Sequence, residues 1–268
     1  MNTHSKPDIE VLSVLPEGKT RKTPLLFVHG AYAGAWLWQE YYLPFFAEHG
    51  WPAHALSLSG HGGSRGAEYL DALSIENYVD DVREVASTFS ARPVLIGHSM
   101  GGMVVQKFLE HEDAPAVVLM AAVPPRGLMS ASIGLLMQRP KLIFELNSIF
   151  GSGGTPHLDT LRDALFHGPV TPRRLNEISA RCQPESMRAL WDMTLFDLPN
   201  AARMRRPPML VLGAEHDSLI PVSEVQHTAQ VYGLQAEIFA DMGHGMMLED
   251  NWRGPAERIV QWLDAQGL

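Results

Sequence analysis

Short apolar runs alternate along the chain with longer stretches whose apolar residues recur at helical spacing. Leu25-Leu26-Phe27-Val28 is an uninterrupted apolar run, the pattern of a strand buried on both faces, and Val94-Leu95-Ile96 and Ala116–Val123 repeat it. Ile9–Leu15 alternates only loosely before Pro16-Glu17-Gly18-Lys19, so it reads as an edge strand entering a turn. Ala53–Leu58, Met209–Gly213 and Gln235–Ala240 supply further strands. Helices are predicted between them, from Trp36 to His49, from Met100 to Glu110, from Pro221 to Tyr232 and from Pro255 to Leu263. Another begins at Ser74, an N-cap residue, and lines up Ile75, Val79, Val82, Val85, Ala86 and Phe89 on one face. Strands alternating with helices predict an α/β fold with a mostly parallel central sheet flanked by helices on both faces. Ligands of such sheets sit beyond the C-terminal strand ends. The loops of interest are therefore those at Gly30, Ser99, Asp217 and His244.

The alternation stops at Pro124-Pro125 and resumes only at Pro207-Pro208. Residues 125–204 contain no convincing strand, and Thr155-Pro156, Thr171-Pro172 and Gln183-Pro184 each place proline where a first helical turn tolerates it. Leu158, Leu161, Leu165 and Phe166 form one apolar stripe; Met187, Leu190, Trp191 and Leu195 form another. The expectation is an inserted helical lid over residues 125–204 on an α/β core built from residues 1–124 and 205–268.

Composition narrows the function classes. A chain of 268 residues with 46% hydrophobic and 19% charged residues can bury a full core. A net charge of −9 with no basic tract argues against a nucleic-acid surface, which needs clustered Lys and Arg. Cys182 is the only cysteine, so an internal disulfide is excluded. The polar start Met1–Asp8 lacks the apolar core of a secretory signal, and no apolar run is long enough to span a bilayer, so a cytoplasmic location is expected. Metal-type spacings such as His-x-x-x-His or paired cysteines do not occur, and no glycine-rich loop ends in the Lys-Ser/Thr of a phosphate-binding loop. No metal and no cofactor are expected.

Candidate chemistry concentrates at Gly97-His98-Ser99-Met100-Gly101, a Gly-x-Ser-x-Gly pattern between a predicted strand and a predicted helix. On such a turn the serine hydroxyl projects above the sheet, and it needs a base and a group that orients the base. Of 12 histidines, His244 lies in the glycine-flanked loop Asp241-Met242-Gly243-His244-Gly245 after the last strand and is the best placed. His29 and His61 read as turn-supporting residues, and His98 as facing away from the serine. Asp217 is favoured as the acid over Glu215, Asp197 and Asp241, because it follows a strand within a few residues and gives the order serine, acid, histidine. Backbone amides of Met100 and of the loop after Leu25–Val28, with Ala31 the leading candidate, are the expected donors to a developing oxyanion.

Taken together, His29-Gly30, Gly60-His61-Gly62, Gly97-His98-Ser99-Met100-Gly101-Gly102, Asp217 and Gly243-His244 resemble the α/β-hydrolase superfamily over nearly the whole chain. The loop His29–Trp36 is similar to that of the methylesterase and hydroxynitrile lyase branch. Hydroxynitrile lyases of that branch carry a lysine soon after the catalytic histidine, whereas Gly245-Met246-Met247 follows His244 here. The resemblance implies a covalent acyl-enzyme on Ser99 without metal or organic cofactor.

The expected activity is hydrolysis of a carboxylic ester, or a thioester, with an apolar portion. Met129, Leu135, Leu136, Met137, Ile143, Phe144 and Trp191 in the lid motivate the apolar character. Carbon–carbon bond hydrolysis or cofactor-free perhydrolysis on the same three residues is the alternative. A ligand receptor on a hydrolase scaffold is a third reading. The sequence carries no signal for oligomeric state.

Overall fold

A computed structural model describes residues 8–130 and 158–268. Among the described residues seven strands form one sheet: β1 Val11–Val14, β2 Leu25–Val28, β3 Ala53–Leu56, β4 Val94–His98, β5 Val117–Met120, β6 Met209–Ala214 and β7 Glu237–Phe239. Their spatial order is β1-β3-β2-β4-β5-β6-β7. β1 runs antiparallel to β3 and the remaining pairings are parallel. The mostly parallel sheet expected from the run pattern is therefore present, with the loosely alternating first strand at one edge.

Successive residues of the inner strands point to opposite faces and build two cores. Leu25 and Phe27 of β2, Val94 and Ile96 of β4, and Leu210 and Leu212 of β6 pack with Trp38, Tyr42, Phe46, Ile259 and Leu263. Leu26, Val28, Leu95 and Val211 pack on the other side with Val79, Val82, Met103, Val104 and Val225. Helices α1 Trp36–Gln39, α2 Tyr42–Glu48 and α9 Arg253–Ala265 cover the first face. The second is covered by α3 Ile75–Ser87, α4 Met100–Phe108 and α8 Val222–Val231. Burial of each large apolar side chain contributes about 1.5–3 kcal/mol, so both faces are needed to hold strands this apolar.

Two predicted helices differ in detail. The stretch from Trp36 to His49 is broken into α1 and α2, because Pro44 has no N–H to offer the Glu40 carbonyl four residues earlier. Gln183-Pro184 does not open a helix; α7 Met187–Trp191 begins after Ser186, whose Oγ accepts the Ala189 N–H at 3.1 Å and donates to the Leu73 carbonyl at 2.5 Å. Thr171-Pro172 does open α6 Pro172–Ser179, with Thr171 Oγ1 accepting the Arg174 N–H at 3.2 Å. Thr155-Pro156 lies outside the described residues.

Among the described residues between β5 and β6 the regular elements are helical: α5 Leu158–Leu165, α6, α7 and a π-turn at Asp192–Phe196. Leu158, Leu161, Leu165 and Phe166 pack against the first core. The second stripe is only half packed: Leu190 meets the second core, whereas Trp191 and Leu195 are exposed, since the π-turn rotates the face away. No helix among the described residues is long and apolar enough to cross a membrane.

Candidate active site

Ser99 follows β4, the middle strand of the sheet, and directly precedes α4. Its backbone has φ 53° and ψ −119°, a strained conformation for a side-chain-bearing residue. The surroundings enforce it. Ser99 N–H donates to the Met120 carbonyl at 3.1 Å, and its own carbonyl accepts from Gly102 at 3.0 Å and Val123 at 3.0 Å. A Cβ on Gly97 would lie 2.5 Å from the Gly101 carbonyl oxygen, and one on Gly101 would strike the carbonyls of Val28 and His29. Glycine is required at both places for the strand and helix to meet at this angle. Ser99 remains half-buried between fully buried neighbours, so its side chain is reachable.

Asp217 and His244 come from loops after β6 and β7 and meet in the interior. Asp217 Oδ2 accepts from His244 Nδ1 at 2.7 Å, and both side chains are almost completely buried. Asp217 Oδ1 accepts from the N–H groups of Leu219 at 2.8 Å and Ile220 at 2.7 Å, which fixes the carboxylate. A carboxylate held this way orients an imidazole with Nδ1 protonated and leaves Nε2 free to take a proton. The rival acids go elsewhere. Asp197 pairs with Lys107 at 2.6 Å, while Glu215 and Asp241 are exposed at the rim, Asp241 with φ 51°.

His98, expected to face away from the serine, reaches the histidine loop. Its Nε2–H donates to the His244 backbone carbonyl at 2.9 Å, and the two rings are 4.6 Å apart between centroids. Its Nδ1 is buried without a hydrogen-bond partner. Burial, reinforced by nearby His244, holds the imidazole well below the usual histidine range, so it stays neutral. The residue before Ser99 thus grips the histidine loop.

On the other side, the loop after β2 closes against Ser99. A Cβ on Gly30 would sit 3.0 Å from the Ser99 Cβ, so the backbone of this loop runs directly beside the serine. Ala31 follows, half-buried, and Met100 is fully buried at the first turn of α4. The dipole of α4 adds positive potential at this end. His29 fixes the loop base: Nε2 accepts the Leu58 N–H at 3.0 Å and Nδ1 donates to the Gly30 carbonyl at 2.7 Å. Burial, and then the charge of His61, lower its pKa to about 3.

Two buried carboxylates that the sequence reading did not single out tie the segment between β5 and β6 to this site. Glu185 is fully buried. It accepts from Tyr78 Oη at 2.6 Å and the Ser186 N–H at 2.7 Å, lies 3.2 Å from His61 Nε2, and takes the N–H of Tyr32 at 3.4 Å. Tyr32, next to Ala31, has φ 64°. Burial works against both charges of the Glu185–His61 pair, yet their attraction prevails: the carboxyl is held below its ordinary value and the imidazole above. Glu249 Oε1 accepts from His167 N–H at 2.7 Å and Gly243 N–H at 2.9 Å, and Gly245 N–H donates to the Leu165 carbonyl at 2.7 Å. The end of α5 is therefore bonded on both sides of His244. Nothing in local spacing marks Glu185 or Glu249, since Tyr78 and His61 lie more than 100 residues from Glu185 and His167 lies 82 residues from Glu249.

A strained serine near glycines and a buried carboxylate–imidazole pair thus lie on loops that follow strands of the mostly parallel sheet. The model of the Alpha/beta hydrolase family matches residues 25–258, and the chain belongs to that family. It is 25% identical over 247 residues to Protein ABHD8 of Mus musculus, covering 87% of this chain and 53% of that protein. The chain thus spans about half the length of the ABHD8 proteins it matches. Similarity to the non-heme chloroperoxidase of Burkholderia pyrrocinia is 26% identity over 226 residues, covering 75% of this chain and 77% of that one. Among solved structures, an esterase from Exiguobacterium antarcticum superposes with a TM-score of 0.74 at 18% identity, covering 96% of this chain and 95% of the other. That last likeness speaks to the fold alone.

Proposed function

We propose that the protein is a serine hydrolase that cleaves a carboxylic ester through an acyl-enzyme on Ser99. The observation that carries this reading is the 2.7 Å contact between His244 Nδ1 and Asp217 on loops that His98 fastens to the Ser99 turn. In the proposed reaction, His244 Nε2 takes the Ser99 hydroxyl proton as Oγ attacks the ester carbonyl. The amides of Met100 and Ala31 stabilise the oxyanion, each worth about 3 kcal/mol in comparable sites. His244 protonates the leaving alcohol, then removes a proton from the water that hydrolyses the acyl-serine. Asp217 holds the tautomer and stabilises the imidazolium throughout.

Residues 125–204 serve as the lid in this account and set substrate choice. An apolar acyl or alcohol portion is favoured by the exposed Met129 and Trp191; Leu135, Leu136, Met137, Ile143 and Phe144 lie outside the described residues. The similarity to a chloroperoxidase favours a second reaction on the same acyl-serine, attack by hydrogen peroxide in place of water, which releases a peracid and restores the Ser99 hydroxyl.

The test is turnover of p-nitrophenyl esters of increasing acyl length by wild type and Ser99→Ala. Wild type should hydrolyse them, and the variant should lose at least about 10³-fold in kcat/KM. Turnover that survives in Ser99→Ala would overturn the assignment. Peracid formation from acetate and hydrogen peroxide separates the second reaction from the first.

A further inference from the structure

We propose that His167, His216 and Asp241 form a surface binding site for a divalent transition-metal ion of the Zn²⁺ type, beside the loops that carry Asp217 and His244. The donor atoms of these three side chains lie within 4.8 Å of one another, and they are the one such group among the described residues. The His167 and His216 rings stack at 3.7 Å between centroids with 13° between planes, which brings two imidazoles from distant parts of the chain onto one spot. Sequence spacing could not reveal this, because the three residues come from the segment after α5, the end of β6 and the end of β7.

The donor set selects the ion. Two imidazoles and a carboxylate suit Zn²⁺ and its neighbours, whereas Ca²⁺ and Mg²⁺ prefer oxygen donors throughout. Tetrahedral Zn²⁺ with bonds of about 2.0–2.1 Å needs its donors roughly 3.3 Å apart, so the three side chains must draw in modestly. All three side chains are exposed, while their backbones are anchored. His167 N–H donates to Glu249 at 2.7 Å, His216 N–H donates to the Met242 carbonyl at 2.9 Å, and the Asp241 carbonyl accepts from Asn251 at 3.1 Å. Fixed backbones with adjustable side chains meet the geometric demand without displacing the fold. Glu215 borders the group, its Oε2 3.6 Å from His216 Nε2 and accepting the Asp241 N–H at 3.4 Å, and water completes the coordination of an ion held by the three side chains.

An ion held there would join three segments, one of which follows α5 and two of which lead into the Asp217 and His244 loops. Its existence does not depend on the ester-hydrolase reading, although its placement next to Asp217 and His244 gains its interest from that reading.

The experiment uses the full chain freed of any histidine tag. Zn²⁺ is titrated by calorimetry against a competing chelator, and the melting temperature is followed with and without EDTA. Wild type should bind one Zn²⁺ per chain at micromolar or lower concentration and melt higher when loaded. His167→Ala and Asp241→Asn should each weaken binding by at least about tenfold and abolish the melting shift, while melting like wild type in EDTA. Co²⁺ should give the visible absorption of a tetrahedral site in wild type and not in His167→Ala. Equal affinity and stoichiometry in wild type and His167→Ala, or no saturable binding by wild type, would overturn the site. These readouts need no substrate, so their failure is separable from failure of the ester assay.

Discussion

The Nε2–H of His98 donates to the backbone carbonyl of His244 at 2.9 Å, so the residue that precedes Ser99 holds in place the imidazole paired with Asp217. A displacement of a base by about 1 Å costs on the order of 10²-fold in rate. Replacement of His98 by Ala should therefore lower kcat for an ester by roughly that factor with a smaller change in KM. Steady-state kinetics check this; unchanged kcat would separate His98 from the placement of His244.

His98 and His29 also set a pH dependence of stability. Both are buried and neutral, with folded pKa values below the ordinary 6.5, and that of His29 at about 3. Below pH 6.5 the unfolded chain binds protons at these two positions that the folded chain refuses, so their contribution is present at neutral pH and declines on acidification. Each such proton corresponds to about 1.4 kcal/mol per pH unit. His98→Gln should have a shallower fall in urea-unfolding free energy between pH 6 and pH 5 than wild type, by about one proton's share. Parallel profiles would contradict the neutral, buried state.

The Glu185–His61 pair has the opposite sign on its histidine side. Its His61 contribution is complete below 6.5 and is lost as pH rises through the raised folded value; the Glu185 contribution is complete above 4.5 and is lost as pH falls through the lowered one. Removal of one partner of a buried pair costs about 3–5 kcal/mol. Glu185→Ala should destabilise by an amount of that order, most strongly between pH 4.5 and 6.5 and less at pH 9. Chemical denaturation across that range provides the check, and a pH-independent difference would count against the charged pair.

Gly101→Ala tests the turn itself. The added methyl would meet the Val28 and His29 carbonyl oxygens, which belong to β2 and the loop after it and cannot swing aside as a flexible side chain would. Overpacking of this kind costs about 1–3 kcal/mol, and here it also pushes the Gly30 loop away from Ser99. The variant should melt lower and lose ester turnover more than its stability loss explains at a temperature where it remains folded. Wild-type activity in the variant would show that the helix and loop need not touch.

Much of this was legible in the chain. Apolar runs such as Leu25–Val28 and Val94–Ile96 are buried on both faces, so they announce a parallel sheet without tertiary information. Glycines around Ser99 are visible because a tight turn admits little else, and Asp217 and His244 stand out as polar residues just beyond strands. What the chain concealed was pairing at a distance. His98 could be read only as a neighbour of Ser99, since its partner is 146 residues away. Glu185 and Glu249 carry no mark in the chain, because their burial and their contacts with Tyr78, His61 and His167 exist only after folding. The predicted helix from Trp36 to His49 runs through Pro44, whose missing N–H is the one local signal for the break between α1 and α2.

Covalent labelling shows whether Ser99 is the nucleophile without relying on any substrate. Wild type, Ser99→Ala and Asp217→Asn are incubated with a fluorophosphonate, and intact mass and peptide mapping locate the adduct. Wild type should carry one phosphonyl group per chain on the peptide containing Ser99, Asp217→Asn should label more slowly, and Ser99→Ala should not label. An adduct of equal yield on Ser99→Ala, or ester turnover by a wild-type enzyme that is never labelled at Ser99, would contradict Ser99 as the nucleophile.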